Sequence, residues 1–571
     1  MLGVDRKRPN YVSLVGVGLG LFVIYMLWIA WRPADVFWSL DEGGKFIYLQ
    51  NVIRTGNPRA PIEYLGRWVD SNLQFVPLYF WKRKGDFILP WWPVGFPLMS
   101  LPLYKLLGWN GLYVLPALGG ALTSMLTGMI VRELAPLSRS FTVWAVLITG
   151  LTTPVAFYST VFWEHTLATA LSTALVLCTL LAIRTGNWKW LVIGGVLGAA
   201  SAFLRTEAGV IVFGVLTAIV FFRRSWSLSF ATAFSVIYFL LLALNRSLSG
   251  EFFSGQSSSL IHMPPFSGLS RAGWLFVPSV LFNTSLVLAY PVPTWMLIGG
   301  SICLIAIVTG VWIKRVPWIS AYLVIGIVLL SAFVLFQPYG YRSVHGFILI
   351  APHVVFAAWL YPFSKIPSQP HQMLGWILFF SGVLCGLVYI TRGWLAAGGL
   401  QWGPRYLLPF YPLCIAGGML FLKKIPNFHS LSRYVLVGVY ILSVLLGLGY
   451  QIRGAYALWY TTHLFQEAWH QIESLEADAL VTPCTWMPMV IPSLYWNRLI
   501  FAVRSGEELR QWAKLAAQAG LRKAYLVDME ICLHIPLHEV EQRLKSNPSG
   551  IIAYKFEPGK DKDIDLPVER R

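Results

Sequence analysis

The sequence predicts a polytopic α-helical membrane protein of about thirteen transmembrane helices, with a small C-terminal α/β domain. Three observations predict it. Only 12% of the 571 residues are charged and 56% are hydrophobic, whereas a soluble domain carries roughly 25% charged residues. Apolar runs of about 20 residues, the length that crosses a bilayer, recur along the chain. Beyond about residue 450 this pattern gives way to short apolar runs alternating with a helical one, as in a small α/β domain. Mean hydropathy is +0.61. The 26 Trp residues suit many short loops in the headgroup layer.

A formal net charge of +18 would suggest nucleic acid in a soluble protein. Here there is no basic tail and no nucleic-acid motif. The charge is assigned to membrane topology and to lipid phosphates, which makes membrane lipids partners and excludes nucleic acid.

Taken in order, Arg6, Lys7 and Arg8 precede an apolar run, Tyr11–Trp31, that is too long for a signal peptide and lacks a small-residue cleavage site. An uncleaved anchor is expected. The remaining spans are expected near 111–131, 141–158, 166–183, 190–204, 208–222, 226–244, 293–313, 317–336, 345–361, 374–391, 405–422 and 434–450. Two further apolar stretches, 88–107 and 274–290, are interrupted by proline and are expected to be interfacial or re-entrant. With the N-terminus cytoplasmic, the inner segments carry 15 Lys and Arg, from Arg6 to Arg433, and only Asp5 and Glu133 oppose them there. Letting 88–107 span would reverse that bias. The expected domains are therefore a transmembrane domain over 1–450, an exoplasmic α/β domain over 451–558 and a charged, disordered tail over 559–571. The setting is a bacterial inner or plasma membrane.

The first outer loop, 32–110, opens on Ser39-Leu40-Asp41-Glu42. A short helix is expected from Glu42 to Arg54, ended by Gly56-Asn57-Pro58. Charged groups beside a bilayer are costly and tend to mark chemistry, so Asp41 and Glu42 are the candidate catalytic pair, with Lys45 one turn on as a candidate substrate ligand. The pair also fits a capping box, with Ser39 as N-cap and Glu42 three residues later. The two accounts are compatible, since a helix N-terminus favours an anion and a general base must be one.

Later outer corners repeat the theme. Glu164 and His165 follow Trp163 at the head of a span, either lining a pocket or anchoring an interfacial helix end. Arg205 and Glu207 sit in a turn between two spans, either paired with each other or with Arg205 offering its planar fork to a lipid-linked phosphate. Arg342 with His345, and Arg405 after Gly403-Pro404, lie at two further corners. Short outer loops should be poor in Arg, so a phosphate-bearing lipid is one account and snorkelling to ordinary headgroups the other. In the C-terminal part, short strands are expected at Ala479–Val481, Leu499–Val503 and Lys523–Asp528, with a helix over Glu507–Ala519. Cys178, Cys303, Cys385 and Cys414 fall in apolar runs. Cys484 and Cys532 fit either one disulfide or two buried thiols. No compact carboxylate or His/Cys set is visible, so no metal and no cofactor is expected.

Asp41-Glu42 after the first span, Phe162-Trp163-Glu164-His165, Leu204-Arg205-Thr206-Glu207 and Trp402-Gly403-Pro404-Arg405-Tyr406-Leu407-Leu408-Pro409 together resemble the GT-C superfamily of membrane glycosyltransferases. The likeness extends over about 1–450 and is greatest to bacterial relatives of protein O-mannosyltransferases and to lipid A aminoarabinose transferases. It implies an inverting transfer from a polyprenyl-phosphate-linked sugar donor on the outer face, to an acceptor that is a protein, a glycolipid or a polysaccharide. Asp41 would match the family's catalytic acidic residue and deprotonate the acceptor hydroxyl, and Arg205 and Arg405 would stabilise the departing phosphate. Two other functions compete. A transporter or flippase of a lipid-linked saccharide would carry ionisable groups in mid-span, and here most span centres are apolar. A non-catalytic envelope assembly subunit would rely on the outer domain alone.

Overall fold

The structure is a computed structural model and describes residues 12–134, 139–254, 281, 317–336, 346–359, 369–392, 402–424, 430–529, 551–556 and 558. In chain order, α1 (Val12–Ala30) is followed by α2 (Leu40–Thr55), a hairpin of β1 (Trp81–Lys84) and β2 (Phe87–Pro90), and α3 (Gly95–Leu107). Next come α4 (Val114–Leu134), α5 (Arg139–Thr152), α6 (Val155–Tyr158), α7 (His165–Thr185), α8 (Lys189–Leu204) and α9 (Gly209–Ser249). Then follow α10 (Pro317–Phe336), α11 (Phe347–Ile350), α12 (Gln369–Arg392), α13 (Phe410–Lys424) and α14 (Ser430–Glu473). The last described elements are β3 (Ala479–Thr482), α15 (Met487–Val490), α16 (Pro492–Asn497), β4 (Ile500–Ala502), α17 (Gly506–Gln518), β5 (Ala524–Met529) and β6 (Ile551–Phe556).

Among the described residues, 6 helical stretches are long and apolar enough to cross a membrane, and α8 and α13 are shorter apolar helices. The pair 208–222 and 226–244 keeps its form, as two helices within α9 that part at Arg223, whose φ of −153° and ψ of 81° are non-helical. Several expected spans take a different form. The expected span 345–361 is not one helix. It is α11 and then a 3-10 segment, Pro352–Trp359, parted at Ala351 with φ −147° and ψ 69°. Proline disfavours the helical region for the residue before it, so Pro352 sets that break. The span expected at 434–450 is part of α14, 44 residues long. A helix of that length is about 66 Å long, more than the roughly 30 Å hydrocarbon core holds. The stretch 88–107 forms β2 and α3, with Pro102 inside the helix. The expected segments 274–290 and 293–313 lie outside the described residues, apart from Leu281.

The chain divides into two compact units. The first takes in 1–29, 113–242 and 263–455. Its helices meet through small residues and hydroxyls, the means by which helices associate where apolar burial gives no advantage over lipid. A Cβ at Gly119 of α4 would stand 2.6 Å from the Leu167 backbone nitrogen of α7. Beside it, the Thr166 hydroxyl donates to the Pro116 carbonyl at 2.8 Å. Between α7 and α8, the Ser201 hydroxyl donates to the Ala168 carbonyl at 2.8 Å and lies 2.7 Å from that of Ser172.

The second unit takes in 30–112, 243–262 and 456–571. Its four-stranded sheet has the order β4-β3-β5-β6, with β3 parallel to both β4 and β5, and β6 antiparallel to β5. α17 is capped by Ser505, whose hydroxyl accepts from the Glu508 N–H. It turns Leu509, Trp512, Ala513 and Ala516, at helical spacing, into the core. That core is shared. Ile62, Tyr64, Phe75, Val76, Leu78 and Trp92 of the first outer loop are buried with Val481, Phe501, Trp512 and Leu526. The Ala502 N–H of β4 donates to the Phe75 carbonyl at 2.8 Å, so the loop also satisfies part of the sheet edge.

Candidate functional site

The acidic pair stands at the head of α2 in the second unit. Ser39 is the N-cap, in extended conformation, and its backbone N–H donates to Glu42 Oε2 at 3.0 Å while Glu42 N–H donates back to the Ser39 hydroxyl at 3.4 Å. The reciprocal box read in the sequence is therefore present, and Glu42, with no exposed surface, is the residue that completes it. Asp41 is only partly buried. Lys45, four residues on and so on the same helix face, is buried, with its Nζ 5.7 Å from the Phe96 ring centroid. The helix ends as expected, on Gly56 in the left-handed region at φ 66°.

What fixes α2 in place is the Gly43-Gly44 step, whose packing role the sequence reading missed. A Cβ on Gly43 would fall 1.3 Å from the Met489 carbonyl oxygen of α15, and one on Gly44 would fall 2.1 Å from the Trp92 ring. The helix thus rests directly on the backbone of the C-terminal part. The Phe37 N–H, just before the acidic pair, donates to the Val490 carbonyl at 2.8 Å.

A second group lies in the first unit. Arg205 caps α8, with its own N–H on the Ser201 carbonyl. Its Nη1 lies 2.9 Å from Glu164 Oε1 and its Nε 2.6 Å from Glu207 Oε1. His165 Nε2 lies 3.8 Å from the same Glu207 oxygen. Arg205, Glu164 and His165 are all buried. Local pairing of Arg205 with Glu207 was one reading of the sequence; the additional pairing with Glu164 was not.

Arg405 reaches the same cluster from a corner built by Gly403. That glycine has φ 71°, and a Cβ on it would stand 2.7 Å from Pro154. Its carbonyl accepts from the Tyr158 hydroxyl at 3.2 Å, while that hydroxyl accepts the Trp402 N–H at 3.1 Å. The Arg405 guanidinium carbon stands 4.8 Å from the Trp163 ring and 5.2 Å from the Tyr406 ring, and that of Arg205 stands 5.6 Å from the same Tyr406 ring. Tyr158 stacks on both Trp163 and His165. Two guanidinium groups are thus gathered in an aromatic enclosure. Arg205 Nη2 is buried with no hydrogen-bond partner among the described residues, and a buried donor left unmade is costly.

Arg342 and His345 lie outside the described residues. Cys178, Cys385 and Cys414 are free, whereas Cys484 is disulfide-bonded; Cys303 and Cys532 lie outside the described residues. Among the described residues no three His, Cys, Asp or Glu side chains gather as metal ligands would.

Long apolar helices together with a small mixed sheet define an integral, many-span membrane protein. No family model matches the sequence, and no curated protein matches it. Solved structures do match in fold. ArnT from Cupriavidus metallidurans, bound to undecaprenyl phosphate, is 13% identical with a TM-score of 0.47, over 97% of this chain and 99% of that one. The oligosaccharyltransferase of Archaeoglobus fulgidus, in its apo form, is 12% identical with a TM-score of 0.45, over 90% of this chain and 69% of that one. ArnT in the apo state matches with a TM-score of 0.40 at 12% identity, over 94% of each chain. At this identity the likeness is one of fold alone.

Proposed function

We propose that the protein is an inverting glycosyltransferase that moves a sugar from a polyprenyl-phosphate donor to an acceptor hydroxyl, on the side of the membrane opposite the N-terminus. Asp41 takes the proton of the acceptor hydroxyl. The acceptor oxygen then forms a bond to the anomeric carbon as the bond from that carbon to the phosphate oxygen breaks, with inversion. Polyprenyl phosphate departs carrying the electron pair. Phosphate leaves readily, so the work is positioning and charge stabilisation. Arg205 and Arg405 hold its oxygens, Glu164 and Glu207 orient Arg205, and Glu42 keeps Asp41 at the head of a capped helix. Lys45 adds a positive charge on the face of α2 that carries Asp41.

The observation that carries this reading is Arg205 Nη2, a buried donor with no partner among the described residues, on a guanidinium already fixed by two carboxylates. Such a group is pre-organised for an oxygen anion that arrives later. The test is the purified protein in lipid nanodiscs with a panel of radiolabelled polyprenyl-phosphate hexoses and cell-envelope acceptors. Asp41→Asn should lower transfer by about 10²–10⁴-fold, the usual contribution of a positioned base, with polyprenyl phosphate binding unchanged. Transfer at the wild-type rate in Asp41→Asn would overturn the assignment, and transport of the donor without transfer would replace it by a carrier.

A further inference from the structure

A groove of about 730 Å³ opens in the second unit, beneath the C-terminal end of α2. That volume falls in the range of small-molecule and cofactor sites. Trp68, Phe87 and Leu65 line it and are 58%, 50% and 37% exposed. Large apolar side chains standing out of a folded wall in one place mark an interaction site rather than ordinary surface. Glu63, Arg67 and Asp86 also line it, and among the described residues none of their side chains makes a hydrogen bond or ion pair.

The walls are fixed even though the rim is unengaged. Ile62 N–H donates to the Ile88 carbonyl at 2.8 Å, which ties the wall to β2. Glu63 N–H donates to Asn51 Oδ1, and the Glu63 carbonyl accepts from the Tyr495 hydroxyl at 2.7 Å. Asp70 accepts the Gln74 and Phe75 N–H groups and so pins the loop beyond Trp68. With the Ile62 and Glu63 N–H groups already committed, an extended peptide would find no free edge there to pair with. Recognition falls to side chains: flat aromatic faces and charged hydrogen-bonding tips. Aromatic faces attract the electropositive C–H faces of a sugar ring through the ring quadrupole, and carboxylate and guanidinium tips suit its hydroxyls. Two carboxylates against one guanidinium make the lining net acidic in a chain of net charge +18, which disfavours anionic ligands.

We propose that this groove binds a neutral saccharide chain and that such a chain is the acceptor, which rests on the glycosyl-transfer reading above. Thr55, which lines the groove, and Asp41 lie at opposite ends of α2, fourteen residues apart, or about 21 Å at the helical rise. An acceptor that occupies the groove while presenting its hydroxyl to Asp41 is several sugar rings long, so affinity rises with chain length.

The test is a glycan array probed with the labelled full-length protein in nanodiscs. It carries neutral oligosaccharides of one to six residues, acidic glycans and an unglycosylated Ser/Thr peptide. Retention of the longer neutral chains, about tenfold weaker in Trp68→Ala and partly restored in Trp68→Phe, is the expected result, tenfold being what one stacked ring is worth. Trp68 is largely exposed, so its loss should leave the melting temperature unchanged. No retention of neutral chains, preference for the peptide or for acidic glycans, or retention that ignores Trp68→Ala would each overturn the proposal. Asp41→Asn separates the two readings, since it should still bind the chains. Chain binding with no transfer by the wild type sinks only the transfer reading, and transfer without chain binding sinks only the groove.

Discussion

Arg205 is held by Glu164 on one nitrogen and by Glu207 on another, and all three belong to one short network at the end of α8. Removing the guanidinium takes from Glu164, which is 2% exposed, its ion pair with Arg205. Breaking a buried pair in this way costs about 3–5 kcal/mol. Arg205→Ala is therefore expected to lower the melting temperature of the purified protein sharply, and Glu164→Gln in the same chain should recover part of the loss. Arg205→Lys tells structure from function. A lysine restores the charge but not the planar fork, so its single nitrogen cannot stand where Nε, Nη1 and Nη2 of the arginine stand at once. The melting temperature should largely return while transfer stays low. Full transfer in the lysine variant would show that the fork contributes only structure.

At the scale of elements, α2 sits against α15 at backbone distance, and Gly43 is what permits it. Gly43→Ala would drive a methyl group into the Met489 carbonyl, and the backbone there has little room to give. Overpacking costs about 1–3 kcal/mol or more. The expected outcome is a lower melting temperature and a displaced Asp41, seen as reduced transfer with unchanged polyprenyl phosphate binding. A Gly43→Ala protein as stable and active as the wild type would mean that α2 does not need this contact. The capping box of α2 was legible because Ser39 and Glu42 are three residues apart and their bonds are local. The existence of helix α17 was legible in the sequence, as was that of strands β3, β4 and β5. The role of Gly43 was not legible, since its partner Met489 is hundreds of residues away and nothing local demands a glycine there. The pairing of Arg205 with Glu164 was hidden likewise, for it joins two helix ends that only the fold brings together. The break at Ala351 could have been read from Pro352, but the run's hydropathy masked it.

At the scale of the whole molecule, residues 30–112, 243–262 and 456–571 share one compact unit. The shared core has a consequence. The apolar residues of the first loop, among them Ile62, Tyr64 and Phe75, are buried against the C-terminal sheet and α17, and the acidic pair is tied to α15 through Phe37 and Gly43. A chain that stops after α14 at Glu473 loses these partners while retaining the helices expected to span the membrane. Its first loop should then lose order, because it exposes the apolar face it had covered and a segment freed from its core is open to proteolysis. Trypsin should cut at Arg59 and Arg67 in the truncated protein and leave both intact in the full chain. Transfer should vanish even though Asp41, Arg205 and Arg405 are all still present. Supplying residues 474–571 as a separate polypeptide should restore protection and activity together if the C-terminal part acts by supporting α2. Protection of Arg59 and Arg67 in the truncated chain would show instead that the loop folds by itself, and the C-terminal part would then need a different role.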